Sequence, residues 1–146
     1  MNIAISGSKG FIGTNLVNFL KDLNYIKLIL INRNPDKKSK LEYSYEDLFN
    51  HKINSEIDVF IHLASPNFNF EKNNELKDGI FNLTKQILDT LKNYNCKKLI
   101  YFSTAKVYGE ASIENITYDE NSNTCPKTDY AKIKLETENL IIKEST

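Results

Sequence analysis

Three of the chain's five glycines fall within seven residues near its start. They lie in a loop at residues 7–13, between an apolar run at residues 2–6 and a helical pattern. Glycine costs conformational entropy on folding, so this crowding indicates a turn that needs unusual dihedral angles or close backbone approach. A strand, a tight turn and a helix N-terminus in this order present free N–H groups to a phosphate. The loop therefore predicts a phosphate-binding turn.

Composition narrows the classes of protein that the chain can belong to. Its 146 residues suit one compact domain, and 40% hydrophobic residues can fill a core. A formal net charge of +0 gives no reason to expect nucleic acid or an anionic membrane as a partner. Cys96 and Cys125 lack the spacing of a metal site or a disulfide scaffold, which favours inert thiols in a reducing compartment. With no secretion signal and no membrane-length apolar run, we expect a cytoplasmic protein with no membrane span.

Apolar spacing predicts alternating strands and helices along the chain. Strands are expected at residues 2–6, 26–31, 41–45, 57–63 and 97–103, and helices at 11–23, 46–51, 76–91 and 128–143. Several strands are apolar on both faces, which is typical of a parallel sheet covered by helices. The pattern predicts an α/β fold with a doubly wound, Rossmann-type parallel sheet over residues 1–146.

The end of the second predicted strand bears on the choice of cofactor. In doubly wound folds an acidic residue about twenty positions past the glycine loop binds the adenosine ribose. Here Asn32 and Arg33 occupy that place. A guanidinium pairs bidentately with phosphate, so Arg33 favours NADP over NAD. The alternative is an exposed loop arginine that binds no ligand.

Three side chains in the second half of the chain could carry chemistry. Tyr130 and Lys134 stand four residues apart on a helical pattern, which places both on one face. An ammonium near a phenol stabilises the phenolate, which can exchange a proton with a carbonyl or alcohol. Thr104 follows a predicted strand, where ligands of open α/β sheets bind. Its hydroxyl could contact a substrate oxygen, and the alternative is a helix cap.

Four motifs in order resemble the extended short-chain dehydrogenase/reductase family, and the resemblance covers essentially the whole chain. That family includes the NAD(P)-dependent epimerases, dehydratases and reductases that act on nucleotide sugars. Order and spacing of the motifs all match. They are Gly-Ser-Lys-Gly-Phe-Ile-Gly at 7–13, His-Leu-Ala-Ser at 62–65, Phe-Ser-Thr-Ala-Lys-Val-Tyr-Gly at 102–109 and Tyr-Ala-Lys-Ile-Lys-Leu-Glu at 130–136.

The resemblance implies a role for each matching residue. Thr104 would polarise the substrate oxygen, and Tyr130 would be the acid/base. Lys134 would bind the nicotinamide ribose and favour the phenolate of Tyr130. The other cofactor-binding positions, which would hold the pyrophosphate, the riboses and the adenine, are Gly7, Gly10, Phe11, Ile12, Gly13, Asn32, Arg33, Asp47, Leu63, Ala64 and Ser65.

The chain also departs from the family pattern. Asn32 replaces the usual ribose-binding acid, and Leu76 stands where many members carry asparagine. Members of the family are considerably longer, and supply further strands and a smaller substrate-binding domain beyond this point. We therefore expect a chain that lacks the C-terminal substrate domain and leaves the strand at 97–103 as an apolar sheet edge. Such an edge invites association, either as a homo-oligomer or with a separate C-terminal chain.

Two functions follow from these expectations. The first is hydride transfer on a nucleotide-activated or lipid-diphosphate-linked sugar of the kind used in polysaccharide biosynthesis, with Tyr130 handling the proton. The run at 105–110 and that at 126–130 look closest to sugar 4-epimerases. The second is a non-catalytic dinucleotide-binding fragment or remnant that lacks a substrate pocket. Intact Thr104, Tyr130 and Lys134 favour descent from an active enzyme.

Overall fold

The computed structural model describes residues 1–66, 73–109 and 117–144. The chain forms two compact units. The first contains Met1–Ser65 and Gln86–Phe102, and the second contains the described parts of Pro66–Lys85 and Ser103–Thr146. Glu110, the last residue of the epimerase-like run at 105–110, lies outside the described residues.

A five-stranded parallel sheet forms the centre of the first unit. Its spatial order is β3-β2-β1-β4-β5, the order of a Rossmann-type sheet, and every pairing is parallel. This confirms the predicted fold class. The strands are β1 (Asn2–Ser6), β2 (Lys27–Ile31), β3 (Glu42–Tyr43), β4 (Val59–His62) and β5 (Lys98–Tyr101).

Aliphatic side chains from β1, β2, β4 and the first helix make the core of this unit. Because successive strand residues point to opposite faces, the complete burial of both Ala4 and Ile5 shows that both faces of β1 are covered. Each large aliphatic side chain removed from water contributes roughly 1.5–3 kcal/mol. One buried cluster consists of Ile3, Ile5, Leu20, Leu28, Leu30 and Ile61.

Two helices of the first unit follow strands. Helix α1 (Phe11–Leu20) follows β1, and α2 (Tyr45–Phe49) follows β3. The sequence predicted that α1 would continue to residue 23, but it ends at Leu20. Leu23 extends the apolar pattern because it packs against the same core from a turn, where its N–H donates to the Leu20 carbonyl. The apolar spacing in this segment therefore identified the residues that pack in the core, and not the end of the helix.

The second unit is built from helices. The predicted long helix at 76–91 is realised as α3 (Asn73–Lys77), a π-helical turn (Asp78–Asn82) and α4 (Leu83–Leu91). Helix α4 continues into the first unit and ends in a 3₁₀ turn at Lys92–Tyr94. Helix α5 (Asp129–Glu144) begins where the Thr128 hydroxyl accepts the Ala131 N–H at 3.2 Å. None of the helices within the described residues combines the length and apolar character needed to cross a bilayer.

Strand β5 lies at one edge of the sheet. In the part of the chain that the structure describes, it pairs with β4 and with no other strand. Its Ile100 and the following Phe102 are 36% and 41% exposed. An unpaired edge with exposed apolar side chains offers backbone donors and acceptors to another strand.

Replacing Ile100 with lysine should reduce self-association of the chain, because a charged edge side chain opposes edge-to-edge pairing. Sedimentation velocity at increasing protein concentration measures the effect, and we expect the variant to stay nearer the monomer. Ile142→Lys is the matched control, since Ile142 is 65% exposed on α5 and is not part of the sheet. Equal association of both variants and the parent chain would contradict this prediction.

Candidate functional site

The glycine loop joins the end of β1 to the start of α1. Gly7 has a φ of +74°, its N–H donates to the Ile31 carbonyl at 3.2 Å, and its carbonyl accepts the Gly10 N–H at 3.0 Å. A Cβ on Gly7 would lie 2.8 Å from the backbone nitrogen of Ala64, so the loop packs directly on the segment after β4. Gly10 precedes the first turn of α1, whose N–H groups have no acceptor within the helix.

Gly13 lets α1 approach the loop closely. A Cβ at this position would lie 2.3 Å from the Gly7 carbonyl oxygen and 2.7 Å from Cα of Ser8. No side chain fits there without movement of backbone. The glycine spacing is thus required by contacts of the loop with itself and with the end of β4.

A cavity of about 310 Å³ lies beside this loop in the first unit. It is lined by seven of the cofactor-binding residues predicted from the sequence and by three that were missed, Lys9, Asn34 and Tyr45. Lys9 lies in the glycine loop and Tyr45 follows strand β3. Their positions just after strand ends could have identified them as cavity residues from the sequence. The seven predicted residues are Gly7, Gly10, Asn32, Arg33, Leu63, Ala64 and Ser65.

Two buried polar groups at this cavity have no hydrogen-bond partner among the described residues. They are the amide nitrogen of Asn32 and the hydroxyl of Ser65. The side-chain oxygen Oδ1 of Asn32 accepts the Ser8 hydroxyl at 3.0 Å, so this bond does not use the side-chain N–H groups of Asn32. Because a buried polar atom without a partner costs free energy, these atoms are suited to hydrogen bonding with a ligand.

Tyr45 places a phenol at the same cavity. Burial raises its pKa, and a hydrogen bond with Ser6 and the nearby charge of Arg33 partly oppose that rise. Ser6 is itself buried and shares a 2.5 Å hydrogen bond with Nδ1 of His62, which is 1% exposed at the end of β4. His62 is therefore a packed residue at the end of its strand.

Besides Lys134, which belongs to the second unit, four predicted cofactor-binding residues do not line the cavity. Phe11 and Ile12 are exposed in the first turn of α1, and Gly13 is buried against the loop. Asp47 lies in α2, where its carboxylate accepts the Ser44 N–H and hydroxyl at 2.9 and 2.7 Å. The Ser44 N–H lowers the pKa of Asp47 most, followed by the Ser44 hydroxyl. This carboxylate caps a helix, and its contact with adenine stays a prediction.

The second unit carries the three predicted catalytic residues. Lys134 is 2% exposed, and its Nζ lies 5.9 Å from the centre of the Tyr130 ring. Tyr130 packs on the cluster formed by Leu76, Ile80 and Ile133. The Thr104 hydroxyl accepts the Lys106 N–H at 3.3 Å at the start of a 3₁₀ turn, so its own proton can still be donated.

Burial and a neighbouring carboxylate shift the pKa of Lys134 in opposite directions. Burial lowers the pKa of Lys134 to about 8, and the charge of Glu138, one turn further along α5, opposes this shift. Glu138 also accepts a hydrogen bond from the Ser103 hydroxyl, next to Thr104. A lysine that titrates near neutral pH beside a phenol is an arrangement suited to acid/base chemistry.

A larger cavity of about 540 Å³ lies at the opposite end of the strands. Its lining comes from the segments before β4 and β5, including Glu56 and Asn95. None of the unpartnered buried side-chain atoms found in the described residues belongs to it. Ligands of open α/β sheets bind at the carboxyl ends of strands, so the smaller cavity is the better candidate.

Gly13→Ala should destabilise the chain far more than Gly10→Ala. A Cβ at Gly13 would overlap backbone at 2.3 Å, whereas one at Gly10 would meet the Gly7 carbonyl oxygen at 3.3 Å. Overpacking costs typically about 1–3 kcal/mol, and we expect the upper end or more for Gly13→Ala. Urea denaturation measures both, and equal losses of stability would contradict the packing described above.

The buried ammonium of Lys134 should make stability depend on pH. The difference between a pKa of about 8 and the usual 10.5 corresponds to about 3 kcal/mol. Below pH 8 the folded chain bears this whole cost, so Lys134→Met should be more stable than the parent by up to that amount. Its advantage should shrink as pH rises to 10.5, because folded Lys134 then loses its proton first.

Urea denaturation at pH 7 and pH 10 measures this difference for Lys134→Met. Lys132→Met is the matched control, because its side chain is 59% exposed on the same helix and its effect should be independent of pH. An equal advantage of Lys134→Met at both pH values would show that the buried charge is not the cause.

Comparison with known proteins places this arrangement in a family. The model of the NAD dependent epimerase/dehydratase family matches residues 3–145. The dTDP-D-glucose 4,6-dehydratase of Dictyostelium discoideum is 31% identical over 84% of this chain and 32% of its own length. The bifunctional UDP-glucose 4-epimerase and UDP-xylose 4-epimerase 3 of Arabidopsis thaliana is 30% identical over 77% of this chain and 39% of its own.

Solved structures agree with the family match. The UDP-glucuronic acid 4-epimerase from Bacillus cereus, solved in complex with NAD, superposes with a TM-score of 0.81 at 25% identity. The match covers 99% of this chain and 52% of the Bacillus cereus chain. In all three comparisons, this chain spans about half or less of the length of the other protein. By its family match, its Rossmann-type sheet and its glycine loop, the chain belongs to the NAD dependent epimerase/dehydratase family.

Proposed function

We propose that the first unit binds NAD or NADP in the cavity beside the glycine loop. The observation that carries this proposal is the buried, unpartnered polar atoms of Asn32 and Ser65 in a cavity bordered by the loop. The first turn of α1 offers N–H groups and the positive end of a helix dipole to the pyrophosphate. Asn32 and Arg33, at the end of β2, lie where a Rossmann-type sheet binds the adenosine ribose.

Arg33 supports the predicted preference for NADP. It is an exposed guanidinium at the cavity and can pair bidentately with a 2′-phosphate. NAD is the cofactor in the complex of the Bacillus cereus epimerase. The preference between the two dinucleotides therefore depends on the charged side chains around Arg33, where a 2′-phosphate would bind.

The catalytic proposal is hydride transfer on a sugar carbon, with the sugar linked to a nucleotide or a lipid diphosphate. The nicotinamide ring, when bound, supplies the hydride acceptor. Thr104 donates a hydrogen bond to the substrate oxygen, and Tyr130 takes the proton that leaves the sugar hydroxyl. Lys134 binds the nicotinamide ribose and, while protonated, stabilises the phenolate of Tyr130.

Substrate binding by the whole protein is a further part of the proposal. The chain spans about half the length of the Bacillus cereus epimerase. We therefore propose that turnover needs residues corresponding to the part of the Bacillus cereus epimerase that this chain does not match. Binding of a dinucleotide without turnover is the alternative for this chain alone.

Calorimetric titration of the 146-residue chain with NAD⁺ and NADP⁺ tests cofactor binding. Arg33→Ala should weaken NADP⁺ by about tenfold and leave NAD⁺ nearly unchanged, because only a 2′-phosphate gains from the guanidinium. Lys37→Ala is the matched control, an exposed cation in the loop after β2 that does not line the cavity. A folded chain that binds neither dinucleotide would refute the proposal.

Turnover is tested with UDP-glucose as the probe, with the C-terminal half of a family member supplied as a separate polypeptide. Tyr130→Phe should lower the rate at least roughly a hundredfold and leave dinucleotide affinity unchanged, because only the exchangeable proton is lost. Tyr25→Phe, at an exposed position of the first unit, is the control. Cofactor binding without turnover, both with and without the supplied C-terminal half, would favour the non-catalytic alternative.

A further inference from the structure

One cation at the cavity already has an anionic partner. Nζ of Lys9, in the glycine loop, lies 2.8 Å from Oε2 of Glu42 and donates to the Asn34 carbonyl at 2.8 Å. The Lys9 side chain is 52% exposed and that of Glu42 is 15% exposed. The pair therefore joins Lys9, which lines the cavity, to a largely buried carboxylate on β3.

Glu42 is held in this position from several sides. It pairs in register with Leu30 of β2, and its Oε2 also accepts the Asp36 N–H at 2.7 Å. The hydrogen bond from Lys9 lowers the pKa of Glu42 most, and the hydrogen bond from the Asp36 N–H is next. The carboxylate is thus an anion at neutral pH, and Asn32 at the end of β2 lies near it.

The two dinucleotides differ in what they bring to this end of the cavity. NADP carries a dianionic phosphate on the adenosine 2′-oxygen, where NAD has a neutral hydroxyl. Arg33 attracts that phosphate and Lys9 would do so too, but Glu42 occupies Lys9 and repels a second anion. A 2′-hydroxyl meets no such repulsion and can use the unpartnered Asn32 amide.

We propose that Glu42 is a specificity-determining residue of the dinucleotide site, because it neutralises Lys9 and opposes a 2′-phosphate. The proposal rests on the proposed cofactor site and adds the residue that limits its affinity for NADP. Arg33 and Glu42 then set the ratio of NADP to NAD affinity in opposite directions. A carboxylate that only fastened the glycine loop to β3 would affect both dinucleotides alike, so this ratio separates the two roles.

Glu42→Gln tests the proposal in the full chain. It keeps the size and the hydrogen-bonding oxygen of the side chain but removes the charge, and it frees Lys9. We expect the Kd for NADP⁺ to fall by about tenfold and the Kd for NAD⁺ to change by less than about threefold. The gain should diminish at high salt, since exposed charges are screened. Glu56→Gln is the matched control, an exposed carboxylate before β4 at the opposite end of the strands.

A second pair of variants tests the Glu42 charge in chains from which the Lys9 charge has been removed. Lys9→Gln leaves the Glu42 charge without its partner, and the double variant Lys9→Gln with Glu42→Gln removes both charges. NADP⁺ should bind the single variant about tenfold more weakly than the double variant, while NAD⁺ binds both alike.

The possible outcomes separate this inference from the proposed function. Equal changes in NAD⁺ and NADP⁺ affinity, or the same gain in the Glu56→Gln control, would overturn the role of Glu42 while the dinucleotide site stands. Binding of neither dinucleotide to any folded variant would overturn both. An increased preference for NADP⁺ confined to variants that lack the Glu42 charge would establish it.

Discussion

Close backbone packing between the glycine loop, the start of α1 and the segment after β4 is the constraint on which the first unit depends. Gly7 meets the backbone of Ala64, and Gly13 meets the carbonyl of Gly7, at distances that exclude any Cβ. This packing holds the N-terminus of α1 at the carboxyl ends of the strands, where its unpaired N–H groups can face an anion. The cavity beside the loop, with its unpartnered Asn32 and Ser65 atoms, follows from that placement.

Charge is arranged differently in the two units. In the first unit, Lys9 lines the cavity together with the exposed Arg33 and forms an ion pair with Glu42 at 2.8 Å. In the second unit, Lys134 is buried next to Tyr130, and burial lowers its pKa to about 8. A buried lysine costs stability, and such perturbed groups cluster where chemistry needs them. Under the proposed function, the first arrangement serves ligand binding and the second serves proton transfer.

Much of the fold could be predicted from the sequence, because apolar spacing reports which side chains are packed. Strand and helix order were predicted correctly, whereas several boundaries were too wide. Leu23 and Ile57 continue the apolar pattern because they are packed, although they lie outside α1 and β4. Of the site, the glycine loop and Arg33 were visible as motifs. Glu42 was not, because a lone glutamate in a two-residue strand carries no pattern.

The sequence by itself determined the family, the parallel sheet and the spacing of Tyr130 and Lys134, since these depend on local periodicity and on motifs in order. Only the tertiary structure decided what each side chain contacts. In the tertiary structure the Asp47 carboxylate caps α2, and Tyr45 lines the cavity. Lys9 forms an ion pair with Glu42, which is 33 positions later in the chain. Such contacts depend on strand order in space, which adjacent residues do not encode.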